Sequence, residues 1–90
     1  MAGQRKKPLG EAVDQDLVDF GAYLRHLRKA KGYSNYENFA FEHDFPRAQY
    51  GRYEKGLVDM RYSVLYRLAQ AHGLTMGELL GRVDPYENVE

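Results

Sequence analysis

The sequence predicts an all-α protein, a compact five-helix domain, and three observations carry that expectation. Apolar residues recur at helical spacing: Leu17, Phe20, Leu24 and Leu27 follow one another at steps of three and four, which sets them on one face of a helix. Start and stop residues punctuate the chain. Ser34 with Glu37, and Thr75 with Glu78, have the spacing of capping boxes, and Gly32, Gly56 and Gly73 each follow a helical run. No stretch alternates apolar and polar residues for long enough to compete as a strand. At 90 residues there is room for one domain. With no cysteine, disulfide scaffolds, Cys-based zinc sites and thiol nucleophiles are excluded, so stability must come from helix packing or a partner.

The elements follow in order. Residues 1–13 show no periodicity and read as a flexible basic arm carrying Arg5, Lys6 and Lys7. A first helix spans roughly 15–31. Arg25, Arg28, Lys29 and Lys31 load its C-terminal half, where cations suit the helix dipole, and Gly32 stops it. Ser34 caps a second helix, about 35–43, which buries Phe39 and Ala40. His43-Asp44-Phe45-Pro46 breaks the chain, because Asp tolerates the left-handed conformation of a tight turn and Pro suits a new first turn. A third helix runs about 46–55 to Gly56. Asp59 caps a fourth, about 60–72, with Tyr62, Leu65, Leu68 and Ala69 inward. The Thr75 box opens a short fifth helix carrying Leu79 and Leu80. The domain is thus expected over 14–81, followed by an acidic, frayed tail over 82–90.

The formal net charge is zero, but it is unevenly distributed. Residues 25–67 hold nine basic and five acidic groups, while 8–24 and 68–90 are net acidic. A basic middle between acidic stretches suits a two-faced molecule. No apolar run approaches the length of a membrane span, and the basic N-terminus has no apolar stretch behind it, so a cytoplasmic location is the default expectation.

The runs LRHLRKAKGYS, FA, RAQYGRYEKG and LYRLAQAHGLTMGELL resemble the XRE family, the relatives of lambda repressor and Cro, over about residues 20–80. The sequence departs from that pattern in places. One residue is inserted between Ser34 and Phe39, Asp44 stands for the usual turn glycine, and Pro46 for a Ser or Thr. Tyr50 and Tyr53 stand for Ile, and Met60 for Pro. The resemblance implies a helix-turn-helix domain that binds double-stranded DNA and regulates transcription, most often as a homodimer on a near-palindromic operator. It also implies a buried ion pair, Arg28 with Glu54, tying the first helix to the end of the third.

With Tyr50 and Tyr53 inward, the opposite face of the third helix centres on Ala48, Gly51 and Arg52, flanked by Arg47 and Gln49. These five are the expected base-contacting residues: Arg suits guanine, Gln suits adenine, and the small Ala48 and Gly51 permit close approach. By the family analogy, Asn35, Tyr36, Lys55 and Arg61, with Arg5, Lys6 and Lys7 of the arm, contact phosphates. The alternative is a protein-interaction module on the same fold, antitoxin-like or binding polymerase or a regulator, with weak or no DNA binding. Zero net charge, the altered turn and a surface rich in tyrosine, of which the chain has eight, favour it. Tyr23, Tyr36, Tyr66 and Tyr86 are expected to be partly exposed.

Other chemistry has little support. His26, His43 and His72 stand apart without the spacing of a helical metal pair, and no Ser-His-Asp set or phosphate-binding glycine loop occurs. No enzyme, metal, cofactor, membrane partner or small-molecule ligand is expected.

Overall fold

The computed structural model describes residues 9–86 and folds them into five helices: α1 (Leu9–Ala30), α2 (Tyr36–Glu42), α3 (Arg47–Lys55), α4 (Tyr62–Ala71) and α5 (Met76–Leu80). No strand occurs among the described residues. Helix α1 starts at Leu9, six residues before the expected Gln15. Glu11, Ala12 and Gln15 are good helix formers, and acidic residues suit the positive end of the dipole. Residues 9–13 therefore belong to the helix rather than to an arm. Arg5, Lys6 and Lys7 lie outside the described residues. At the other end, Gly32 adopts φ +111° and the Tyr33 amide donates to the Arg28 carbonyl, closing the last turn.

Helix α1 packs closely on α3 because two glycines allow it. A Cβ on Gly21 would lie 2.4 Å from the Glu54 carbonyl oxygen, and one on Gly56 would lie 2.5 Å from the Val18 Cα. Gly56 also terminates α3 in the left-handed conformation.

The cap of α2 is Asn35 rather than Ser34. Its side chain accepts from the Asn38 amide at 2.8 Å. Asn caps as well as Ser does, and the one-residue shift leaves Phe39 and Ala40 buried. Helix α4 starts two residues later than expected. Asp59 accepts from the Met60 amide at 2.9 Å, and Arg61 occupies the cap position without a side-chain bond. Tyr62 is consequently not a core residue but 71% exposed. The buried Met60, just ahead of the helix, fills the space in its place. The Thr75 capping box on α5 makes both of its bonds, at 2.9 and 3.0 Å.

The core is aromatic. Phe39 is fully buried and meets His72, Tyr50 and Phe45 at centroid distances of 5.2, 5.1 and 6.3 Å. Tyr50, Leu24, Leu27, Leu68 and Leu79 close around it. Tyr50 and Tyr53 are buried, so bulky rings occupy the inward face of α3.

The expected frayed tail is docked as far as Tyr86. Arg82 turns the chain at φ +60° and pairs with Asp16 at 2.7 Å. Tyr23 Oη donates to the Val83 carbonyl at 2.6 Å, His26 Nε2 meets Asp84 at 2.5 Å, and Tyr86 Oη meets His72 Nδ1 at 2.9 Å. Polar partners on α1 and at the C-terminal cap of α4 thus hold residues that composition alone marks as loose.

Candidate nucleic-acid interface

Two helices joined by a short turn organise the site. Between α2 and α3, Asp44 takes φ +62°, the left-handed conformation that Asp tolerates better than most residues. Pro46 precedes the first residue of α3. The turn brings α3 across α2 with Phe45 buried beneath it.

The outward side of α3 is polar and open. Ala48, Arg52 and Lys55, at i, i+4 and i+7, form one exposed stripe, and Arg47 is exposed in the first turn. Gln49 is half-buried at the edge, where its Oε1 accepts from Arg52 Nη1 at 3.4 Å. The inward side consists of the buried Tyr50, Gly51, Tyr53 and Glu54.

Gly51 does not belong to the open face, contrary to the sequence expectation. It is buried, and a Cβ there would lie 2.8 Å from Tyr36 Cε1. The glycine makes room for a ring of α2, not for a ligand. One residue of helical rotation separates it from Arg52, and only the neighbouring helix reveals which side it takes. Lys55, by contrast, shares the stripe with Arg52.

The remaining expected contacts fall at two places. Asn35 and Tyr36 sit at the start of α2, with the Asn35 side-chain oxygen engaged in the cap and Tyr36 half-buried against Tyr50 at 6.4 Å. Arg61 is exposed at the start of α4. Among the described residues, Arg47, Lys55 and Arg61 have no ion-pair partner.

The structure joins Arg28 to Glu54. Arg28 Nε and Nη2 each donate to a Glu54 carboxylate oxygen at 2.8 Å, and Arg28 Nη1 donates to the Tyr33 carbonyl at 3.0 Å. Arg25 Nη2 donates to the Glu54 backbone carbonyl at 3.2 Å. The hydrogen bond to Glu54 holds the Arg28 guanidinium above its ordinary value. Burial first, then the Glu54 carboxylate, pushes the neighbouring Tyr50 phenol up.

Sequence reasoning missed Arg67. Its Nη2 donates to the carbonyls of both His43 and Asp44, and its guanidinium carbon lies 4.4 Å from the Phe45 ring centroid. Nothing in the local pattern of α4 separates this arginine from a solvated surface charge. It also missed an apolar groove of about 350 Å³ lined by Leu17, Phe20, Met60, Leu65 and Leu80, with Asp16, Asp59 and Arg82 at its polar edge.

No described helix is long and apolar enough to cross a membrane. Among the described residues, no group of three His, Asp or Glu side chains could hold a metal ion. The helix-turn-helix domain family matches residues 19–82, which takes in most of α1, the turn and α5. No curated protein and no solved structure matches the chain.

Proposed function

The chain belongs to the helix-turn-helix domain family, and from that premise we propose that it is a sequence-specific, XRE-type transcriptional regulator that reads the DNA major groove with α3. One observation carries the reading: the open stripe of α3 presents Arg52 and Lys55 around the small Ala48, while the opposite side is locked in the core. A helix held this way can enter a groove without deforming.

In this reading Arg47 and Arg52 donate to guanine, Gln49 pairs with adenine, and Ala48 meets a thymine methyl. Lys55, Arg61, Asn35 and Tyr36 neutralise or bond phosphates at the edges, and Arg5, Lys6 and Lys7 add cations from the N-terminal segment. A homodimer would place two α3 helices one helical turn of DNA apart. The groove beside Leu80 is the surface we assign to that contact. Leu80 is 54% exposed at its rim, and Leu17, Phe20, Met60 and Leu65 give it an apolar floor that a second copy of the chain could cover.

The test is the salt dependence of binding to a mixed-sequence duplex, followed by fluorescence anisotropy. Each neutralised phosphate contributes about −0.9 to the slope of log K against log salt. A slope of at least about −4 is expected from the cations named here. Binding that ignores salt, or no binding, would contradict the reading and favour a protein partner.

A further inference from the structure

We propose that Arg67 is a positioning residue for α3: it clamps the α2–α3 turn from outside and so sets the angle at which the reading helix is presented. The inference rests on the DNA reading above for its functional consequence, but the clamp itself is a property of the turn.

Arg67 lies on α4, more than twenty residues from the turn, yet its Nη2 donates to two successive carbonyls there, those of His43 and Asp44. His43 is the C-terminal cap of α2, and α2 has no basic residue in its own last turn. The negative end of that helix is therefore served by a cation from a different helix. Asp44 is the left-handed residue of the turn. Its carbonyl direction depends on that strained conformation, and the guanidinium holds it there. The flat guanidinium also covers the Phe45 ring at 4.4 Å. Phe45 stays 4% exposed and packs on Phe39 and Tyr50, the latter on α3. One side chain thus fixes the end of α2, the turn residue and the ring beneath α3.

A lysine could supply the charge and donors for the carbonyls but not the planar cover over Phe45. A phosphate contact is the competing role for an exposed arginine, and it makes different predictions. A guanidinium turned to carbonyls positions the helix and leaves the count of neutralised phosphates unchanged.

The experiment compares wild type, Arg67→Lys and Arg67→Ala at a temperature where circular dichroism shows all three folded. Affinity is measured for a duplex enriched by selection and for a mixed-sequence duplex across salt. Amide exchange of Phe45, whose N–H donates to the Ala40 carbonyl at 2.8 Å, is measured without DNA. Arg67→Ala should lose about tenfold in specific affinity, keep its mixed-sequence affinity and salt slope, and exchange faster at Phe45. Arg67→Lys should fall between. Equal loss on both duplexes with a shallower slope would make Arg67 a phosphate contact and overturn the proposal. A lower melting temperature with unchanged specific affinity in the folded protein would overturn it too, by leaving a merely stabilising role. If wild type binds no duplex, the regulator reading fails by itself. Exchange then decides the clamp: faster at Phe45 upholds it, unchanged overturns it.

Discussion

Arg28 on α1 and Glu54 on α3 face each other through two parallel hydrogen bonds, each 2.8 Å long, with both side chains about 95% buried. The pair ties α1 to the end of α3. Removing one partner leaves an uncompensated buried charge, which costs about 3–5 kcal/mol. Arg28→Ala should therefore lower the melting temperature by more than about 10 °C. Arg28→Met combined with Glu54→Leu should recover much of that loss, because a filled apolar pair leaves no charge stranded. Thermal denaturation followed by circular dichroism checks both.

Two glycine substitutions should move stability in opposite directions. Gly21→Ala puts a methyl group 2.4 Å from the Glu54 carbonyl oxygen and 2.7 Å from that of Tyr53. Backbone cannot swing aside, so α1 and α3 must separate, at a cost of about 1–3 kcal/mol or more. Gly77→Ala in α5 meets nothing closer than 3.9 Å. It should stabilise by up to about 1 kcal/mol through helix propensity. Denaturant unfolding of both variants reads the two signs directly.

Much of this architecture was legible along the chain because its causes are local. The apolar spacing of Leu17, Phe20, Leu24 and Leu27 placed the inner side of α1, and Thr75 with Glu78 placed the start of α5. Asp44 could be recognised as the turn residue from its own conformational tolerance. What was not legible depends on contacts between distant segments. Gly51 looks like an open position until the Tyr36 ring of α2 is laid over it. Tyr62 fits the apolar period of α4, but Met60 already occupies the core there. The acidic tail is held by Tyr23, His26, Asp16 and His72, none of them near it in sequence.

His72 should govern stability in mild acid. It is buried against Phe39 and Tyr86, and burial, with Lys31 and His43 adding, lowers its pKa to about 4. The unfolded ring takes a proton below about pH 6.5, the folded ring only below about 4. Between those values the unfolded state binds more protons, so stability rises with pH across the window and is lost as pH falls through it. The loss should be on the order of 2 kcal/mol once solvent screening is allowed for. His72→Phe keeps the stacking and should flatten this acid branch in a pH series of denaturant unfolding.

Base contacts and phosphate contacts should separate by substitution. Arg52→Ala should cost about 1–3 kcal/mol on the preferred duplex and relax the requirement at one base position. Arg61→Ala should weaken all sequences alike and make the salt slope shallower by about one. Titration of both variants against matched and mixed duplexes distinguishes the roles. Equal effects from the two would show that α3 does not read bases through Arg52.

The most direct measurement is selection from a random double-stranded DNA pool by the purified protein at about 0.15 M salt, with the bound fraction sequenced. A regulator that reads the groove with α3 should enrich one motif, arranged as a near-palindrome whose half-sites lie about one helical turn apart. Retention without enrichment, or no retention, would contradict sequence-specific recognition by this helix.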